Sequence, residues 1–229
     1  MVKYADNMLN LFFPKVCRGC QKELTSGETV ICAYCRHTLP LTNFHKTNSD
    51  QLKRLFYGRI PIENATALFY FYKKGVSQKY IHALKYKGAE EIGTFFGKWL
   101  GQELAATSAY QNVDLVIPVP LHKKKLRKRG YNQVAAFARE LATALQKPYK
   151  ENILVKITPT QSQVFKDRLT RIFSYKEVFS VQHIKKLIDK HILLVDDVVT
   201  TGATLEACAQ QLRKAKNVKI SIATIGMAD

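Results

Sequence analysis

The chain has 229 residues, 46% of them hydrophobic, and Lys plus Arg outnumber Asp plus Glu by 36 to 18. Such a content can bury a core for one ordinary domain and a small appendage, which excludes a disordered chain, and with no apolar run of about eighteen residues neither a membrane span nor a signal peptide is expected. The cationic excess points to polyanions, meaning nucleic acid, anionic lipid or phosphorylated small molecules, or simply to a solvated Lys-rich surface.

Four of the five cysteines lie close together as Cys17-Arg-Gly-Cys20 and Cys32-Ala-Tyr-Cys35, with eleven residues between the pairs. Two such pairs can supply a tetrahedral set of four thiolates, and Gly19 suits the tight turn that aims two of them at one ion. Cys17, Cys20, Cys32 and Cys35 are therefore expected to hold structural Zn²⁺ in a reducing, cytoplasmic setting. A closed shell of four thiolates leaves no position for a substrate. Residues 1–41 are expected to form this metal-held module, because so short a segment buries little surface of its own. The polar stretch that begins at Thr42 makes 42–64 the expected linker, and 65–229 the main domain.

Ala65 to Tyr72 reads as a strand, followed by two helices between Val76 and about Thr107 that break near Gly88. Val113 to Val119 is a continuous apolar run fit for a strand covered on both faces, and residues 129–146 repeat apolar positions at helical spacing. Further strands are expected at Ile153–Ile157, Val178–Val181, His191–Val195 and Val218–Ile225, with a helix from about Ala203 to Lys214. Cys208 lies on the inward face of that helix and reads as a small core residue. Alternating strands and helices predict an α/β fold, a parallel sheet flanked by helices, with ligands at the carboxyl ends of the strands.

The run from His191 to Leu205 (HILLVDDVVTTGATL) is an apolar strand, then two carboxylates, then a small-residue turn that opens a helix. Backbone N–H groups at a helix start lack partners, so Thr200, Thr201, Gly202, Ala203 and Thr204 can wrap a phosphate monoester, with Gly202 allowing close approach. Asp196 and Asp197 are then placed to accept hydrogen bonds from vicinal ribose hydroxyls. A plain helix-capping turn is the alternative for a shorter motif. The turn is neither a Walker loop, since no Lys follows the glycine, nor a Gly-x-Gly-x-x-Gly dinucleotide turn.

With these residues the chain resembles the type I phosphoribosyltransferases, and within them the ComF (ComFC-like) competence proteins. The resemblance extends to the four-cysteine module, to Leu84-Lys85-Tyr86-Lys87-Gly88, to Pro118-Val119-Pro120-Leu121 and to Arg129-Gly130-Tyr131-Asn132-Gln133. It implies a site for phosphoribosyl pyrophosphate (PRPP): Asp196 and Asp197 on the ribose, residues 200–204 on the 5′-phosphate, and Val119, Pro120 and Leu121 on the pyrophosphate, with Mg²⁺ bridging oxygens. It also implies a mobile lid carrying Gln161, Arg168 and Arg171, although Arg171-Ile-Phe-Ser174 departs from the family's Arg-x-x-Asn. No general base for an acceptor stands out, so no catalytic residue is assigned. The resemblance implies natural competence and DNA uptake, with a helicase and recombination proteins as partners. Alternatives are a non-catalytic single-stranded DNA-binding protein that retains the pocket, and a nucleotide-salvage transferase.

Directly after the pyrophosphate turn comes His122-Lys-Lys-Lys-Leu-Arg-Lys-Arg129. Lys123, Lys124, Lys125, Arg127 and Arg129 can neutralise pyrophosphate, track a nucleic acid backbone or simply be solvated, and Tyr131 can stack on a single-stranded base.

Overall fold

The computed structural model of the chain describes residues 14–157 and 178–228. Its centre is a four-stranded sheet in the order β1-β6-β5-β2, from Ala65–Phe71 (β1), Leu115–Pro118 (β2), His191–Val199 (β5) and Lys219–Ala228 (β6). All three pairings are parallel. Leu154–Ile157 (β3) and Val178–Val181 (β4) stand apart as a separate antiparallel pair, where strand-helix alternation alone suggested that they join the main sheet.

Both faces of the sheet are covered, as the unbroken apolar runs require. Leu193 and Val195 of β5 enter one core with the helices Val76–Tyr86, Glu90–Ala105 and Ala135–Ala144. Ile192 and Leu194, turned the other way by the two-residue strand repeat, enter a second core with the helix Ala203–Leu212. The 90–105 and 135–144 helices meet almost backbone to backbone: a Cβ on Gly97 would lie 2.7 Å from the Phe137 carbonyl oxygen.

One segment differs from the sequence expectation. Residues 42–64, expected as a linker, carry the short helices Phe44–Thr47 and Gln51–Arg54, and their Phe44, Leu52 and Phe56 are buried in the second core. Polar residues dominate this stretch, but three well-spaced apolar side chains suffice to bind it down, each contributing about 1.5–3 kcal/mol on full burial. The basic run is a helix, Lys123–Arg129, with the His122 side chain capping its start by accepting from the Lys124 amide at 3.2 Å and Gly130, at φ 81°, ending it.

The cysteine segment shares the first core with the domain: Cys17, Val30, Ile31, Cys35 and Leu39 pack among the residues of the 76–86 and 90–105 helices. Among the described residues no helix is long and apolar enough to cross a membrane.

Candidate functional site

The site lies where β2 ends beside β5, which continues past it. Pro118 is in register with Val195, and the Val119 amide donates to the Val195 carbonyl at 2.8 Å, so the turn at Val119 to Leu121 stands next to the first aspartate. The Asn132 side-chain amide donates to the Val119 carbonyl at 3.1 Å and holds that turn from the far side.

β5 runs on through both aspartates to Val199 before the chain turns, further than its apolar run alone indicates. Asp196 then lines a small crevice, about 60 Å³, together with residues 198–205. Thr200, Thr201 and Ala203 are exposed on its rim, and Gly202, at φ 75°, sits at the start of the 203–212 helix. The Thr201 hydroxyl accepts from the Ala203 amide only at 3.4 Å, a long bond that leaves this amide turn suited to an anion.

Asp197 has different surroundings. Its Oδ2 lies 3.1 Å from Lys85 Nζ and accepts from Gln133 Nε2 at 3.1 Å, and its Oδ1 accepts from the Val198 amide at 2.6 Å. The expectation that both carboxylates face one ligand thus meets a split arrangement, because neighbouring residues of a strand point to opposite faces. The structure brings Asp196 to the phosphate turn and binds Asp197 to a cation and an amide.

Lys85 and Gln133 each belong to a sequence run singled out above, yet neither had a role there. Their meeting at Asp197 is set by packing. The Tyr131 hydroxyl donates to the Leu84 carbonyl, and Arg129 donates to Gln133 Oε1 at 2.7 Å, so Leu84–Gly88 and Arg129–Gln133 are joined beside the carboxylate.

A cavity of about 320 Å³ opens from this junction, lined by Lys85, Tyr86, Gly88, Lys125, Lys128, Arg129 and Tyr131, with no carboxylate in its wall. Arg129 lies over the Tyr86 ring, 5.1 Å from its centre, and Tyr86 is 65% exposed. Of the residues named from the sequence for nucleic-acid contact, Lys125, Arg129 and Tyr131 line this cavity; Lys123, Lys124 and Arg127 lie on the 123–129 helix but not in the wall. Gln161, Arg168 and Arg171 lie outside the described residues.

The four sulfurs of Cys17, Cys20, Cys32 and Cys35 all lie within 4.8 Å of one another, and Cys20 and Cys32 Sγ are 3.7 Å apart. Four thiolates at about 2.3 Å from a tetrahedral Zn²⁺ stand roughly 3.8 Å apart, so the cluster could hold such an ion. Backbone amides of Gly19 and Cys32 donate to Cys17 Sγ at 3.4 and 3.3 Å, as the Cys35 amide does to Cys32 Sγ at 3.5 Å. Burial raises the Cys17 thiol, but backbone N–H groups of Cys20, Cys32 and Gly19 outweigh it and bring its pKa down to about 6. Burial and the neighbouring sulfurs push Cys35 the other way, to about 12. A cluster in which Cys17 ionises easily while Cys32 and Cys35 resist suits a site that a cation completes. Cys208, fully buried in the second core, is a packing residue as expected.

Residues 134–226 match the phosphoribosyl transferase domain family. Over most of its length the chain is similar to Competence protein F of Haemophilus influenzae, 26% identical over 207 residues that make up 87% of this chain and 84% of that one. It is likewise 26% identical to the DNA utilization protein YhgH of Escherichia coli K12, over 88% of this chain and 92% of that one, and 25% identical to Competence protein ComFC of Bacillus subtilis, over 92% and 83%. The chain is thus similar over most of its length to proteins of the ComF name, and it carries a match to the phosphoribosyl transferase domain. The matched residues 134–226 include Asp196, Asp197 and the turn at 200–204. The ComF resemblance read from the cysteines and the three short runs is therefore matched by similarity over most of the chain, with Lys85 and Gln133 the positions at which two of those runs meet Asp197.

Proposed function

We propose that this chain binds PRPP with Mg²⁺ at the ends of β2 and β5. The 5′-phosphate sits in the amide turn of residues 200–204, the ribose hydroxyls against Asp196, and the pyrophosphate toward Val119, Pro120 and Leu121. The observation that carries this reading is the single crevice formed by Asp196 and residues 198–205: a hydrogen-bond acceptor for a sugar stands beside a helix start that attracts phosphate. Mg²⁺ takes oxygen ligands and keeps several waters, and the Asp196 carboxylate is an oxygen donor of the right kind at the crevice wall. Lys85, shared between Asp197 and the basic cavity, is a further pyrophosphate contact.

Displacement at the ribose carbon asks little of the protein beyond positioning and charge neutralisation, so binding and transfer are separate questions. Calorimetry with PRPP and Mg²⁺ tests the first: wild type binds, and Asp196→Asn with Asp197→Asn loses at least about tenfold, the effect of removing roughly one charge-assisted hydrogen bond. Equal affinity in both proteins sinks the assignment. Pyrophosphate release across a panel of bases, amines and DNA tests the second.

The relatives' names place them in competence and DNA utilization, and we carry a role in handling incoming DNA to this chain on that similarity. The cavity walled by four cations and two tyrosines supports single-stranded nucleic acid as a second ligand, since phosphates seek the cations and bases stack on exposed rings. The cysteine segment, expected over 1–41, binds structural zinc and acts in folding.

A further inference from the structure

The 50–60 segment reaches the phosphate turn directly. A Cβ on Gly202 would lie 2.8 Å from the Phe56 ring, so this buried ring forms the floor under the one turn residue in the left-handed region. Three residues on, the Arg59 guanidinium donates to the Leu55 carbonyl at 2.8 Å and the Thr201 carbonyl at 3.1 Å, and its Nε donates to Glu206 Oε2 at 2.8 Å. A second Arg59 nitrogen meets the same Glu206 oxygen. Arg59 thereby ties the phosphate turn, the first turn of its helix and the 50–60 segment together.

Resting on the reading of residues 200–204 as the phosphate seat, we infer that Arg59 is a positioning residue for 5′-phosphate binding. It acts in two ways. Its donor occupies the Thr201 carbonyl oxygen, whose partial negative charge would otherwise be free to swing toward the anion. Its charge also cancels Glu206, a carboxylate in the first turn of the very helix whose positive end attracts the phosphate. Uncancelled, Glu206 would oppose that attraction at short range. Phe56 sets the height of the turn, and Arg59 sets its orientation and net charge.

The experiment measures ribose 5-phosphate and Mg²⁺-pyrophosphate separately by calorimetry on wild type, Arg59→Ala, Arg59→Lys and Arg59→Ala/Glu206→Gln. Arg59→Ala is expected to weaken ribose 5-phosphate about tenfold, the scale of a lost charge at a helix start, and to leave Mg²⁺-pyrophosphate within about twofold. Arg59→Lys, which keeps the charge without the planar fork, recovers part of the loss, and so does removing the Glu206 charge. A merely structural role would weaken both ligands together and would not be relieved by Glu206→Gln, and either result overturns the inference. Wild type that binds ribose 5-phosphate alongside an Arg59→Ala protein of equal affinity also overturns it while leaving the phosphate seat intact. Wild type that ignores ribose 5-phosphate overturns the seat itself, and this inference with it.

Discussion

Lys85 Nζ stands 3.1 Å from Asp197 Oδ2, joining the end of the 76–86 helix to the strand that carries the candidate ligand turn. The pair is unequal: the Asp197 side chain is 7% exposed and that of Lys85 26%, so the carboxylate depends on the ammonium more than the reverse. Gln133 and the Val198 amide supply its remaining donors.

Replacing Lys85 with Met should therefore cost about 1–2 kcal/mol of stability, less than a fully buried pair because water reaches the lysine. Chemical denaturation would read it. Asp197→Asn should be less harmful in the Lys85→Met background than in the wild type, and strictly additive losses would show that the two groups do not cooperate.

The cysteine cluster predicts about one zinc ion per chain, lost in Cys17→Ser and in Cys32→Ser, as metal analysis of purified protein would show. Because Cys17 and Cys35 share the first core with Tyr80 and Leu84, stripping the metal should lower the thermal midpoint of the whole chain. Gly19→Ala should do the same with every thiol in place, since a Cβ there would come within 2.9 Å of Val76 and would strike Tyr80 as well. Full stability in Gly19→Ala would show that the 76–86 helix does not clasp this turn.

Lys125 and Lys128 line the basic cavity, and changing both to Ala should reduce the salt dependence of single-stranded oligonucleotide binding by about 1–1.5 in the log–log slope, roughly 0.7 for each phosphate that is no longer neutralised. An unaltered slope would remove the 123–129 helix from nucleic acid binding.

Acid should destabilise the protein through His191. Burial holds this buried imidazole below its ordinary value, with Glu63 opposing, and its Nε2 lies 2.8 Å from Ser221 Oγ. An unfolded histidine titrates near about 6.5, so below that pH the unfolded chain takes up a proton that the folded chain resists. The stability is complete above about 6.5 and falls as pH drops toward the lower folded value. His45 shifts in the same direction by burial, against Glu103. Urea unfolding at several pH values between about 7.5 and 5.5 should give a steeper fall for wild type than for His191→Gln. Parallel curves would exclude His191 as the cause.

Much of the molecule is legible residue by residue. An apolar run followed by Asp196-Asp197 and Thr200 to Thr204 states its own backbone path, since a strand that ends in small residues before a helical repeat has few conformations open to it. The paired cysteines likewise state a ligand set, because the spacing within each pair brings two sulfurs together through a single local turn. The 42–64 stretch was not legible in this way: its polar residues outnumber Phe44, Leu52 and Phe56, and only the surface those three meet makes them an anchor.

The sequence by itself determined the main strands and helices, the paired cysteines and the small-residue turn after Asp196-Asp197, all of which depend on residues near in the chain. The tertiary structure alone decided that Lys85 and Gln133 meet Asp197, and that Phe56 and Arg59 support Gly202 and Thr201. These contacts join segments dozens to more than a hundred residues apart. Their physical origin is the strand order β1-β6-β5-β2 and the burial of both sheet faces, a global packing solution that no local pattern encodes.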